Sequence, residues 1–272
     1  IKVWTSDPNV TIDELALNDT LVYKVRACEY LEGTYTIGSS GDFSTINEAV
    51  DSLSNMCGIN GDVFFNIQPG TYNDQVMISD ITGLSKTATI TFQSSSGDST
   101  DVVLTTDSTD YLIYLDGTDY ITFKNISFES DSAINLVVLD SGACNNVFEG
   151  NLFSAANGST SIWSGSFNDS NNVFRGNHFQ NGSYGLNLKA THPNAETSVH
   201  IIDNIFGVQG HSSIYLSRCD SALISGNQVR STQYGIYIVS SNSYITEDNQ
   251  ITMQGSFPKD GVRITNCMSD TT

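Results

Sequence analysis

NVFEGNLF (146–153) is followed by NVFRGNHF (172–179), HIIDNIF (200–206), LISGNQV (223–229) and YITEDNQI (244–251), five segments that superimpose on one another. Each carries an asparagine with an apolar residue two places on, and Asn151, Asn177, Asn204, Asn227 and Asn249 recur at spacings of 26, 27, 23 and 22. The residue before each is Gly150, Gly176, Asp203, Gly226 or Asp248, types that tolerate a left-handed backbone and so mark a bend. An earlier copy, ITFKNISF (121–128), aligns with Asn125 at the bend and Ile126 in the asparagine's place.

Between these copies runs a second family of strands: LIYLDG (112–117), VVLDSG (137–142), IWSGS (162–166), GLNLKA (185–190), IYLSRC (214–219), GIYIVS (235–240) and GVRITN (261–266). Period-2 alternation turns Ile113/Leu115, Val137/Leu139, Ile162/Ser164, Leu186/Leu188, Ile214/Leu216, Ile236/Ile238 and Val262/Ile264 inward, and successive first members lie 24, 25, 24, 28, 22 and 26 residues apart. Two strand families sharing one long period describe a solenoid in which every coil adds a rung to several parallel sheets. A sandwich of hairpins would instead place turn signals every ~8 to 12 residues. With equivalent residues stacked ~4.8 Å apart, each ladder asparagine can bond to the one above and below, which satisfies amides otherwise costly to bury. The fold class predicted is all-β, a parallel β-helix.

The entrance differs. DFSTINEAVDSLSNMCG (42–58) predicts an amphipathic helix near 45–56, with Thr45 and Glu48 as a capping box, Ile46, Ala49, Val50 and Leu53 on one face, and Gly58 as the stop. A strand DVFFNI (62–67), a turn QPGTY (68–72) and a strand QVMI (75–78) follow. The helix is expected to cover the open end of the solenoid. Residues 1–32, with the alternating DTLVYKVRAC (19–28), read as the end of a preceding module or a cap, and residues 33–272 as the β-helix. With no closing cap after Ile264, the polypeptide is expected to continue beyond Thr272 or to stack on a partner.

Composition narrows the function. Thirty Asp and Glu against eleven Lys and Arg leave a formal charge of −19, which repels nucleic acid and anionic membranes. No run approaches the ~18 apolar residues of a membrane helix, and the start at Ile1 is not a targeting segment. An extracellular or cell-surface location is expected from the Ser, Thr, Asn and Gly richness; six N-x-S/T sequons, at Asn9, Asn18, Asn125, Asn157, Asn168 and Asn181, occur at about the number such a composition yields by chance. Five cysteines form no C-x-x-C pair; Cys28 and Cys57 flank one segment and can pair, while Cys144, Cys219 and Cys267 follow similar strands as small core residues, and spacing does not decide the connectivity. His178, His192, His200 and His211 have no metal-ligand spacing, so no cofactor is expected.

From residue 42 to 272 the G-N-x-[FVI] steps resemble the right-handed parallel β-helix (pectate-lyase-like) superfamily. The entrance GDFSTINEAVDSL and GTYNDQVMI (within 41–78) is similar to that of pectin methylesterases, whose Q-A-V, Q-D-T-L, D-F-I-F-G and R-P-W segments are absent; Asn18–Leu21 (NDTL) stands before the helix, out of place. GHSSI (210–214) and GVRIT (261–265) resemble polygalacturonase segments, without the paired aspartate motifs that should precede them. The acidic, lysine-poor repeats behind GTYTIG…DFSTINEAV also look like those of large type IX-secreted surface proteins of gliding bacteria, a resemblance that implies adhesins, filaments or stalks.

The outward positions of the second strand family form a stripe of Tyr114, Val138, Trp163, Asn187, Tyr215, Tyr237 and Arg263. Aromatics on a rigid ladder suit a protein surface or a cell-surface polysaccharide, and Tyr114, Trp163, Tyr215 and Tyr237 are the candidate binding residues. Asp116 and Asp140, one coil apart, are close enough to share a Ca²⁺ or to serve a glycoside hydrolase. The reading favoured is a non-catalytic structural or adhesive module of a larger cell-surface or filament-forming protein, whose partners are other copies of itself or neighbouring modules. The alternatives are a polysaccharide-active lyase, hydrolase or esterase, using Asp116, Asp140, His211 and Arg263, and a tailspike-type trimer.

Overall fold

The computed structural model describes residues 2–4, 20–22, 28–165, 168–191, 196–255 and 259–267. From Leu31 the chain winds as a coil whose turns give one strand to each of three parallel sheets, of nine, eight and eight strands. The first sheet runs from Leu31–Ile37 to Ile245–Glu247, the second from Gly70–Asn73 to Gln250–Met253, and the third from Val76–Ser79 to Asp260–Thr265. Two small pairs stand apart, antiparallel Lys2–Trp4 with Thr20–Val22 and parallel Glu196–Thr197 with Cys219–Asp220. The rest of the expected 19–28 strand lies outside the described residues.

The asparagine ladder occupies the bend between the first and second sheets. Asn151 donates its backbone N–H to Asn177 Oδ1 at 2.9 Å, Asn177 to Asn204 at 2.9 Å, Asn204 to Asn227 at 2.9 Å and Asn227 to Asn249 at 3.0 Å. Each Nδ2 also donates to a carbonyl one coil back, as Asn177 does to Phe148 at 2.8 Å. Ile126 takes the ladder position one coil earlier and donates to Asn151 Oδ1, as the alignment predicts. The residues before the ladder positions hold φ between 53° and 69°, a region that Gly enters freely and Asp and Asn tolerate. A second, shorter ladder at the bend from the third sheet into the first joins Asn146 to Asn172 at 2.9 Å. It is written in the leading asparagine of NVFEGNLF and NVFRGNHF, and it stops where Val199 and Ala222 fill the column with apolar burial.

Phenylalanines stack inside the coil in the same way. Phe65, Phe92, Phe123, Phe148 and Phe174 form one stack along the first sheet, with centroids 4.9 to 5.6 Å apart. Phe128, Phe153, Phe179 and Phe206 form another along the second. The third sheet supplies the opposing wall in the predicted register: Ile113, Val137, Ile162, Leu186, Ile214 and Ile236 lie side by side and fully buried, whereas Val262 and Ile264, expected to face inward, are 44% and 45% exposed on the last strand of the sheet.

The entrance helix spans Ile46–Asn55 and buries Ile46, Ala49, Val50 and Leu53 against the first coil. Thr45 Oγ1 accepts from the Glu48 N–H at 3.1 Å, and Glu48 reaches back to the Ser44 N–H at 2.7 Å, one residue earlier than a simple capping box places it. Gly58 holds φ +92° with the Thr82 carbonyl so close that no Cβ fits. The sequence expectation errs just after: residues 68–72 are not all turn, because Gly70–Asn73 pairs with Val102–Thr105 as the first strand of the second sheet. Partners in the next coil outweigh the local turn preference of Pro and Gly there. Cys28 and Cys57 are bridged. Of the other cysteines, Cys219 is buried as expected, whereas Cys144 and Cys267 are half-buried. Among the described residues no helix is long and apolar enough to cross a membrane.

Candidate functional site on the outer face of the third sheet

The parallel register builds the stripe. Tyr114, Val138, Trp163, Asn187, Tyr215, Tyr237 and Arg263 pair in succession across seven strands, and Met77 extends the column at its near end. Val138 and Asn187 are only 4% and 5% exposed, so the exposed part of the column is carried by the rings on either side. Asn187 Oδ1 has no hydrogen-bond donor among the described residues.

A second column, three residues before the first, holds Tyr111, Tyr184 and Tyr234, and the tyrosine pairs 111/114 and 234/237 lie 5.1 and 4.9 Å apart. His211 sits between Tyr184 and Tyr234, at 4.8 and 5.4 Å. Three cations close over these rings: Lys189 on Tyr215 at 5.4 Å, Lys259 on Tyr234 at 5.1 Å, and Arg263 on Tyr234 and Tyr237 at 5.3 and 5.4 Å. Arg263 also donates to Tyr234 Oη at 3.2 Å and pairs with Asp260 at 3.5 Å. Burial first, then the charges of Lys259 and Lys189, lowers the His211 pKa and so favours the neutral ring. Tyr111, Tyr184, Tyr234, Lys189 and Lys259 are not among the candidates that the strand alternation points to, although the i, i+3 tyrosines stand in YLIY (111–114) and YGIY (234–237).

The opposite end of the face is acidic. Asp116 and Asp140 pair in register, and Tyr114 Oη donates to Asp140 across the same step. Burial raises the Tyr114 pKa, and the Asp140 and Asp116 carboxylates add to the shift. Asp119 is raised by burial and by Asp80, against a backbone bond from Cys144 that lowers it. Tyr114 is therefore expected to stay protonated when exposed tyrosines ionise near about pH 10. With ¹³Cζ-labelled tyrosine its resonance should not move by about pH 11, and Asp140→Asn should let it titrate earlier. A Tyr114 signal that moves with the exposed tyrosines in the unaltered protein would show that the carboxylate does not hold the phenol.

The four residues proposed for catalysis do not converge. Asp140 and His211 belong to coils three apart, about 14 Å along the axis, and Asp116 and Arg263 to coils six apart, about 29 Å. No three His, Cys, Asp or Glu side chains among the described residues are grouped to hold a metal ion. A separate concavity beside the entrance helix is lined by Ser39, Thr45, Tyr72 and Asp74, but Asp74 is engaged by the Ile46 N–H at 3.2 Å and Asn47 Nδ2 at 3.3 Å. His178 is half-buried and its pKa lowered by burial, His200 is half-buried, and His192 lies outside the described residues.

Residues 111–271 match the family model described as the right handed beta helix region. The chain belongs to that family. This β-helix is similar to the crystal structure of the pectin methylesterase from Aspergillus niger in deglycosylated form, with 14% identity, 90% of this chain and 88% of that chain covered, and a TM-score of 0.54. A penultimately deglycosylated form of the same enzyme gives 13% identity, coverage of 90% and 89%, and a TM-score of 0.47. At such identity the likeness is one of fold. No curated protein matches this β-helix in sequence.

Proposed function

We propose that this β-helix is a non-catalytic structural or adhesive module of a larger, extracellular cell-surface or filament-forming protein, with the third-sheet face as its contact surface. One observation carries the reading: the face bears aromatic rings towards both ends of its length, while Asp116, Asp140, His211 and Arg263 are spread over coils up to about 29 Å apart. General acid, base and stabilising group must reach the same reacting atoms, within hydrogen-bond distance of them. A rigid parallel ladder has no means of bringing them together, but it presents flat rings with little entropy left to lose on contact.

The alternative that a specific observation favours is a polysaccharide-active enzyme built on Asp116, Asp140 and Tyr114, because a carboxylate pair is the minimum for glycoside hydrolysis. The test is incubation of the purified protein with polygalacturonate and with methyl-esterified pectin, following new reducing ends, unsaturated products and released methanol. No product is expected, and Asp116→Asn and Asp140→Asn should change nothing in this assay. Turnover that either substitution abolishes would replace the structural reading with the enzymatic one.

A further inference from the structure

We infer that two copies of this chain pair face to face through their third sheets, antiparallel, so that the acidic end of one lies on the cationic end of the other. This rests on the reading of the face as a contact surface and names its partner.

The charge on this face is divided along the helix axis. Asp80, Asp110, Asp116, Asp119 and Asp140 lie on or at the ends of the Val76–Ser79, Tyr111–Asp116 and Asn135–Asp140 strands. Lys189, Arg218, Lys259 and Arg263, four of the chain's eleven Lys and Arg, lie on or beside the Tyr184–Lys189, Ser212–Ser217 and Asp260–Thr265 strands, where they outnumber Asp220 and Asp260, the latter paired with Arg263 at 3.5 Å. Each group is felt as a field: Asp80 raises Asp119, Asp116 and Asp140 raise Tyr114, and Lys189 and Lys259 lower His211.

A two-fold axis lying between the two facing sheets and parallel to their strands, level with the step between Thr160–Ser164 and Tyr184–Lys189, sets each end of one copy against the other end of its partner. It carries the Tyr114 strand onto the Tyr237 strand, the Met77 strand onto the Arg263 strand, and the Trp163 strand onto the Asn187 strand. One patch thereby becomes its own complement, as a closed two-fold dimer requires. A parallel arrangement would set carboxylates against carboxylates, so charge selects the antiparallel one. The contact would be centred on Tyr, Trp and Arg, the residues in which interface binding energy concentrates. Eight strands ~4.8 Å apart and about six residues wide offer roughly 700 Å² per copy, close to the ~800 Å² per partner of a standard stable interface. An anionic glycan lying along the whole stripe would be repelled at the Asp116 end, and a neutral one would make no use of the four cations.

The test uses charge exchange on the full chain, read by light scattering after size-exclusion chromatography at about physiological ionic strength, with circular dichroism as the check of folding. The unaltered protein is expected at twice the chain mass. Lys189→Glu with Arg263→Glu reverses two of the four cations, and Asp80→Lys with Asp116→Lys reverses two of the five carboxylates. Each double variant alone should run as a monomer, and an equimolar mixture of the two should return to the dimer mass. That rescue is an outcome which misfolding of either variant cannot produce. A monomeric unaltered protein, a trimer, double variants that remain dimeric alone, or two folded monomers that fail to pair when mixed would each overturn the inference. The two levels separate cleanly. An inert monomer removes the pairing and leaves the structural reading, whereas a dimer that turns over pectin removes the structural reading and leaves the pairing.

Discussion

Asn177→Ala is expected to lower the stability of the β-helix by about 3 to 5 kcal/mol, because each buried polar group left unpartnered costs roughly 1–3 kcal/mol. Asn177 sits mid-ladder and is fully buried. Its Oδ1 accepts both the backbone N–H and Nδ2 of Asn151, and its Nδ2 donates to Phe148 O and Asn204 Oδ1. Alanine leaves the Asn151 N–H and the Phe148 carbonyl facing each other's absence in a site too tight for easy hydration. Asparagine to aspartate should be no milder, since the carboxylate keeps the acceptor but sets oxygen against Phe148 O and Asn204 Oδ1. Asn249→Ala removes a similar set of bonds, to the Asn227 N–H and Nδ2, the Ile224 carbonyl and Thr246, but at the half-buried end of the ladder water can replace them, so it should cost only about 1–2 kcal/mol. Urea unfolding of the three variants decides it, and equal midpoints for the Ala variants at 177 and 249 would mean that burial does not set the cost of losing the ladder's hydrogen bonds.

The second large effect is expected at Phe153. Its ring lies between Phe128 at 4.8 Å and Phe179 at 4.9 Å, with interplanar angles of 10° and 7°. Phe153→Ala should cost about 3–5 kcal/mol through lost transfer free energy and the cavity left behind, because the coils above and below hold the space open. Phe153→Leu, which keeps most of the volume, should recover more than half of that. A solenoid is stabilised chiefly by neighbour-to-neighbour contacts, so a gap in the middle of the stack can also uncouple the coils on its two sides. The denaturant slope is the readout: a two-step unfolding curve or a reduced m value for Phe153→Ala marks uncoupling, and an unchanged slope with a lower midpoint marks a uniform loss. A loss below about 1 kcal/mol would contradict the packing described, since collapse of the neighbouring coils would have to fill the cavity.

The long-period pattern was legible because parallel stacking converts a repeat in sequence into contact in space. Once Asn151 and Asn177 are recognised as equivalent, their neighbourhood follows, and so does the register of Tyr114 with Val138 or of Ile214 with Ile236. The entrance helix was legible for a different reason: Thr45, Glu48 and the Ile46, Ala49, Val50, Leu53 face are local signals within three turns of chain. The strand at Gly70–Asn73 was hidden because its residues favour a turn locally, and only the Val102–Thr105 strand beside it supplies the hydrogen bonds that hold it extended. The Cys28–Cys57 bridge was one of several pairings that spacing allowed.

On the outer face of the third sheet the division is sharper. Period and alternation alone determined which side chains stand in the Tyr114-to-Arg263 column, since a parallel rung places equivalent residues one strand spacing apart whatever their identity. Only the tertiary structure decided which residues from different columns meet: Tyr114 with Asp140, His211 between Tyr184 and Tyr234, Lys259 and Arg263 over the same ring. Those contacts depend on how far each side chain reaches and on the path of the segments that join the sheets, and neither quantity repeats with the period.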